Sequence, residues 1–320
     1  MSLPKVVFLD RATIPSHIVI PKIEYNHQWV EYDFTQPELV LERIQDADIV
    51  ISNKVYLGEK QLKLCSKLAL IAVAATGYNN VDIHYCQARN IAVTNVRGYA
   101  QQSVPEHVIA MMFSLRRNLV GYHNDIVKGE WQRNKQFCFF THAIGDIAGS
   151  TLGIVGSGAL GQATASLARA IGMQVVFAER KGAEKCREGY LPFETVLSMS
   201  DVLSLHCPLS QETRNLIGEP ELQLMKSNAI LINTGRGGLV DEHALVNALE
   251  HSTIAAAGVD VFTQEPADIN NPLLDNAHLP NLLLTPHVAW GSDSAIQSLA
   301  NILIDNIDAF LRTEEQNRVV

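Results

Sequence analysis

STLGIVGSGALGQATASLARAIG, residues 150–172, runs from a short β-branched segment through a glycine-rich turn into a helical pattern. A bare GxGxxG says little, because glycine-rich turns are common, but a strand before it and a helix after it give it meaning. Gly156 lets the chain turn sharply out of the strand, Gly158 lets a pyrophosphate approach the backbone, and Gly161 permits close packing of helix on strand. Together with Ser157, Ala159 and Leu160 they make a turn at the positive end of a helix, which suits an anion. The next strand pattern, QVVFA, ends at Glu179, 18 residues beyond Gly161. An acid about 20 residues on accepts hydrogen bonds from the adenosine ribose of a dinucleotide. Its charge repels a 2′-phosphate and favours NAD, with NADP as the alternative should Arg180 and Lys181 offset that repulsion.

Outward from this stretch, short β-branched runs alternate with helical patterns along nearly the whole chain, which means parallel strands joined by helical crossovers. Before it come KVVFL, ADIVIS, LALIAVA and IAVTNV; after it come QVVFA, DVLSLH, AILINT, AAAGV and NLLLT. A helix is expected from Ser103, with Pro105 tolerated in its first turn, and another from about Ser292 to Leu311. Residues from about 123 to 150 show no clear period and are expected to be irregular; so long a break is usually functional or an interface arm. In the second series, His206, Cys207 and Pro208 end one strand, TGRGG follows the next, Asp260 follows another and His287 the last. All therefore fall on the carboxyl edge of an open parallel sheet, where ligands bind in such folds.

A chain of 320 residues is long enough for two domains. With 47% apolar and 18% charged residues it has the composition of a globular protein. A net charge of −9 argues against a nonspecific nucleic-acid binder, which needs basic surface to displace counterions. There is no apolar run of about 18 residues, so no membrane span is expected. The apolar stretch before Asp10 is too short for a signal-peptide core. The five cysteines are scattered and never in a CxxC pair, poor material for a metal site or a disulfide framework; a reducing compartment, the cytoplasm, is expected.

Three residues at the rim are of the kinds needed for hydride transfer to a keto acid. Arg236, flanked by glycines, offers a planar fork that can grip a carboxylate, although an arginine alone there would pair with Asp241 or Glu242. His287 can give a proton to the oxygen that becomes a hydroxyl, or take it back in the oxidative direction. Glu265 can hold the other imidazole nitrogen and so fix the ring.

GSGALG, INTGRGGLVDE, GVDVFTQEP and TPHVAW, in this order and spacing, resemble the D-isomer-specific 2-hydroxyacid dehydrogenases. VAATGYNNVD, FCFF with IGDIAGSTLGI, and PHVAW are similar to the glycerate dehydrogenase, or hydroxypyruvate reductase, branch, and the resemblance covers essentially the whole chain. It implies an α/β protein of two doubly wound parallel-sheet domains: a Rossmann-type NAD-binding domain, residues 102–289, and a flavodoxin-like substrate domain, residues 1–101 with 290–320. It also implies that Arg236, Glu265 and His287 are the catalytic set. NAD is then held by the glycine turn, Glu179, Arg180, His206, Cys207, Pro208, Thr213, Thr234, Gly235, Asp260 and Gly291. Many relatives carry Asp where this chain has Glu179. Homodimers built through the cofactor domain are usual in the family, which makes Trp131 to Phe140 an interface candidate.

The substrate carboxylate is expected to meet Arg236 and the amides of Ala74, Ala75, Thr76, Gly77 and Asn79, with His287 at the keto oxygen, in a cleft between the domains. That loop carries no Lys or Arg, which suits a small uncharged group such as the hydroxymethyl of hydroxypyruvate, with glyoxylate also accommodated. Other readings are a dehydrogenase for 3-phosphoglycerate, with Arg97 as the extra basic contact, or for D-lactate, and a dinucleotide-sensing corepressor that binds partner proteins.

Overall fold

The computed structural model describes residues 3–320 and divides into two compact units. One comprises the chain up to Ala100 together with Gly291–Val320; the other is Gln101–Trp290.

The first unit holds β1 (Lys5–Phe8), β2 (Gln28–Glu31), β3 (Ile49–Ser52), β4 (Leu70–Val73) and β5 (Ala92–Thr94), all parallel and ordered β2-β1-β3-β4-β5. That is the flavodoxin-like order. β3 and β4 are buried at every position, which is why they read as unbroken apolar runs. β2, QWVE, was not expected: as an edge strand it is only half-buried, so its pattern gives no strong period. Asp10, just past β1, accepts backbone N–H bonds from Asn53, Lys54 and Val55 and so ties the end of β1 to the turn after β3. The Asp293–Leu311 helix is capped by Ser292, whose hydroxyl accepts from Ala295 N–H at 3.3 Å. It buries Ile296, Leu299, Leu303 and Ile307, the i, i+3, i+4 stripe of a helix covering a sheet. Val319 then donates to Val93 O at 2.8 Å, pinning the end of the chain beside β5.

The second unit holds β6 (Thr151–Val155), β7 (Gln174–Ala178), β8 (Tyr190–Leu191), β9 (Val202–Leu205), β10 (Ile230–Asn233), β11 (Ala256–Val259) and β12 (Leu282–Leu284). They form one parallel sheet ordered β12-β11-β10-β9-β6-β7-β8. From β6 the chain builds out through β7 and β8, then crosses to β9 on the other side. The carboxyl ends of β6 and β9 thus flank the switch point at which such sheets bind dinucleotides. The Ser103–Arg116 helix lays Val108, Met111, Met112 and Leu115 into the core on one face of this sheet. Gly258 on β11 admits it, since a Cβ there would lie 3.1 Å from Met111 Sδ.

The expectation of irregular chain from residue 123 needs correction. Helices Leu119–Val127 and Glu130–Asn134 occupy the first part, and only the rest up to residue 150 lacks regular structure. No residue of either helix is buried, so no core-facing stripe exists to give the sequence a period. Instead Leu119, Val120, Ile126, Val127, Trp131, Phe137, Phe140 and Ile144 are exposed, Phe137 at 94%. Among the described residues no helix is long and apolar enough to cross a membrane.

Candidate active site

The glycine turn after β6 is shaped by close contact with the turn after β9. Gly156 has φ +101°, and a Cβ on it would stand 2.5 Å from Cys207 N and 2.6 Å from His206 C. One on Gly161 would stand 2.1 Å from Gly156 O, whereas one on Gly158 would meet nothing within 4 Å. Gly158 also caps the Ala159–Ala170 helix without offering a side chain to its amides. Two glycines are therefore required by packing, and the third keeps the helix end bare toward solvent. Tyr190 reaches back from β8 and donates its hydroxyl hydrogen to Ser157 Oγ.

His206 and Cys207 line the adjoining wall in neutral form. Burial pushes the imidazole down to about 4 and the thiol up to about 11. His206 Nε2 lies 2.9 Å from Ser204 Oγ. Thr213 Oγ1 locks the turn by donating to Pro208 O at 2.8 Å and accepting from Ser210 N–H at 2.7 Å.

At the end of β10, Asn233 accepts from Gly235 N–H at 3.1 Å and donates to Arg236 O at 3.0 Å, folding the TGRGG loop back on its own strand. The sequence reading missed Asn233, whose only signal is a buried amide at the end of an apolar strand. Thr234 Oγ1 is buried with no hydrogen-bond partner among the described residues. Arg236 donates from Nη1 to Gly235 O at 2.7 Å and takes part in no ion pair among the described residues. The acids expected to compete for it are committed elsewhere. Asp241 accepts from Ala244 N–H at 3.0 Å, while Glu242 accepts from Thr263 N–H at 2.7 Å and Asn271 Nδ2 at 2.8 Å.

β11 and β12 supply the other two groups. His287 Nδ1 lies 2.6 Å from Glu265 Oε2, and Glu265 Oε1 accepts from Phe262 N–H at 3.0 Å. Backbone holds the ring's position: His287 has φ +55° and donates its N–H to Asp260 O at 2.7 Å, while Trp290 Nε1 donates to His287 O at 2.9 Å. The Asp260 carboxylate is fully buried. It accepts from Thr285 Oγ1 at 2.5 Å, Val288 N–H at 2.9 Å and Ala289 N–H at 3.0 Å, so it fixes the loop that presents His287. His107, also missed, comes from the Ser103–Arg116 helix to within 3.1 Å of Thr285 Oγ1.

Because β10, β11 and β12 are neighbours spaced ~4.8 Å apart, the loops carrying Arg236, Glu265 and His287 leave the sheet within roughly 10 Å of one another. Gly237 sharpens this, since a Cβ there would lie 1.8 Å from Phe262 O. The Arg236 loop thus rests against the segment leading to Glu265.

Other expected residues belong to the first unit. Ala74 and Ala75 are buried at the end of β4 in the first unit; Thr76, Gly77 and Asn79 follow, with Thr76 Oγ1 donating to Val96 O at 2.8 Å. Gly291 also belongs to that unit. At the end of β7 the charge pattern differs from the expected one. Lys181 pairs with Glu221 at 2.8 Å, and the cation on Glu179 is Arg187, Nε to Oε2 at 2.7 Å. Arg187 lies in an exposed segment with no period, and nothing in the sequence singled it out.

The orphaned Thr234 hydroxyl, the bare helix end at Gly158 and the neutral wall of His206 and Cys207 fit a dinucleotide along this rim. The comparisons agree. Residues 109–289 match the family model for the D-isomer specific 2-hydroxyacid dehydrogenase, NAD binding domain. A putative 2-hydroxyacid dehydrogenase of Haemophilus influenzae is 48% identical over 313 residues, 98% of this chain and 99% of that one. A glycerate dehydrogenase of Methylorubrum extorquens is 48% identical over 320 residues, 98% of each chain. A solved structure from Thermus thermophilus superposes with a TM-score of 0.86 at 30% identity, covering 99% of this chain and 100% of that one. The chain therefore belongs to the D-isomer specific 2-hydroxyacid dehydrogenases and is an oxidoreductase that uses a nicotinamide dinucleotide.

Proposed function

We propose that the enzyme interconverts D-glycerate and hydroxypyruvate, also reducing glyoxylate, with Arg236, Glu265 and His287 as its working groups. The observation that carries this reading is the His287 to Glu265 pair at 2.6 Å, beside an arginine that no acid of the described chain holds. Glu265, accepting from Nδ1–H, fixes the tautomer and leaves Nε2 for the substrate oxygen. In reduction the protonated ring donates to that oxygen from Nε2; in oxidation the neutral ring removes the hydroxyl proton. Arg236 grips the substrate carboxylate through its fork and stabilises negative charge growing on the adjacent oxygen. Hydride chemistry is what the nicotinamide ring supplies when bound.

Two features support the substrate. The relative from Methylorubrum extorquens is named a glycerate dehydrogenase, and the loop from Ala74 to Asn79 has no basic side chain to meet a phosphate. Arg97, the nearest basic residue in sequence, is held by Asn95 through Nε at 2.9 Å. The run of exposed apolar residues from Leu119 to Ile144 fits a second copy of this chain, so the working form is a homodimer. Five free thiols suit a reducing cytoplasm.

Steady-state rates with hydroxypyruvate, glyoxylate, pyruvate and 3-phosphohydroxypyruvate test the substrate. Hydroxypyruvate is expected to give the highest kcat/KM, with the phosphorylated acid lowest. A tenfold preference for 3-phosphohydroxypyruvate or for pyruvate would overturn the assignment.

A further inference from the structure

Glu179 occupies the position from which an acid selects against a 2′-phosphate, yet its carboxylate is already saturated. Oε1 accepts from Arg180 N–H at 2.9 Å and from Arg187 Nη2 at 2.9 Å. Oε2 accepts from Arg187 N–H at 3.0 Å and from Arg187 Nε at 2.7 Å. A carboxylate has about four acceptor directions, and these four bonds fill them. The Glu179 side chain is 6% exposed, the Arg187 side chain 56%. What faces solvent at the end of β7 is therefore guanidinium and not carboxylate.

The cation is fixed in place. Arg187 stacks over the Tyr190 ring, 3.9 Å from its centroid, and Tyr190 is bonded through its hydroxyl to Ser157 in the glycine turn. Arginine, stacked ring and phosphate-binding turn form one connected patch. Arg187 Nη1 has no partner among the described residues. The exposed guanidinium of Arg180 has no acidic partner among them either. The segment 180–189, RKGAEKCREG, carries four basic and two acidic residues.

We propose that Arg187 is a specificity-determining residue: by engaging Glu179 completely and presenting its own free edge with Arg180, it makes the site accept a 2′-phosphorylated dinucleotide at least as well as an unphosphorylated one. The inference rests on the reading of this rim as a dinucleotide site and reverses the preference for NAD that Glu179 alone suggests. A carboxylate whose charge is matched by a bidentate guanidinium no longer repels a phosphate. It also has no acceptor left for a ribose hydroxyl, so the usual advantage of the unphosphorylated cofactor disappears.

Calorimetric titration with ADP-ribose and 2′-phospho-ADP-ribose tests this without turnover, because neither fragment carries nicotinamide. The wild-type protein is expected to bind the phosphorylated fragment as tightly as ADP-ribose or more tightly. Arg187→Met should weaken the phosphorylated fragment by roughly ten- to hundredfold, the loss of a charge-assisted contact, while ADP-ribose binding holds or improves as Glu179 becomes free to accept. Glu179→Gln, which leaves the guanidinium in place, should keep or strengthen binding of the phosphorylated fragment. A wild-type preference of tenfold or more for ADP-ribose overturns the proposal, as does an equal loss of both fragments in Arg187→Met. Failure of both fragments to bind the wild-type protein would contradict the dinucleotide site itself, a result distinct from either of those.

Discussion

Replacing His287 with asparagine is expected to lower kcat for hydroxypyruvate reduction by roughly 10²–10⁴, the usual contribution of a positioned general acid. Asparagine is the informative substitution because His287 sits at φ +55°, a left-handed conformation that asparagine tolerates better than most residues. The backbone bonds from His287 N–H to Asp260 O and from Trp290 Nε1 to His287 O do not involve the ring. The loop should therefore keep its course and dinucleotide binding should persist. The loss appears in kcat, since the proton is needed only as the keto oxygen becomes an alkoxide. Stopped-flow NADH oxidation, alongside NADH binding by fluorescence, separates the two effects; near-normal turnover would remove His287 from the chemistry.

Replacing Arg236 with lysine is expected to cost about 10²–10³ in kcat/KM, on the scale of losing a preorganised donor to a developing oxyanion. Lysine keeps the charge but not the fork, so orientation of the carboxylate is lost. A rise in KM would report the grip on the ground state, and a fall in kcat the stabilisation of the transition state. The same substitution should leave the melting temperature nearly unchanged. Arg236 makes no ion pair among the described residues, its Nη1 bonds only Gly235 O, and Asp241 and Glu242 have partners of their own. An arginine needed for folding would show the opposite pattern, a large drop in stability with kinetics preserved in the folded fraction.

The fold was legible where burial is complete. β3, β4, β9 and β10 are apolar at nearly every position because both faces of each sheet are covered, and they read as strands without ambiguity. β2 and β8 lie at sheet edges, are short and half-exposed, and left no pattern to read. The helices Leu119–Val127 and Glu130–Asn134 were hidden because neither turns an apolar stripe toward this chain's core.

Within the site, residues whose chemistry is announced by a glycine or proline beside them were visible: the GSGALG turn, Arg236 between glycines, Glu265 before Pro266 and His287 after Pro286. Residues that act through a neighbour were not. Asn233 shapes the Arg236 loop from the end of a strand, and His107 reaches Thr285 from a helix distant in sequence. Arg187 lies eight positions beyond the acid it holds, on the far side of an irregular segment whose path only the folded chain reveals.

Glu265 and His287 are taken to act as one unit, the acid serving the reaction only through the ring. Their double-variant cycle in kcat measures this directly, using Glu265→Gln, His287→Asn and the two combined. If the acid works through the imidazole, the combined variant is no slower than His287→Asn alone, because nothing remains for the amide to misalign. Losses that multiply across the two positions would mean independent roles and would contradict the paired proton donor.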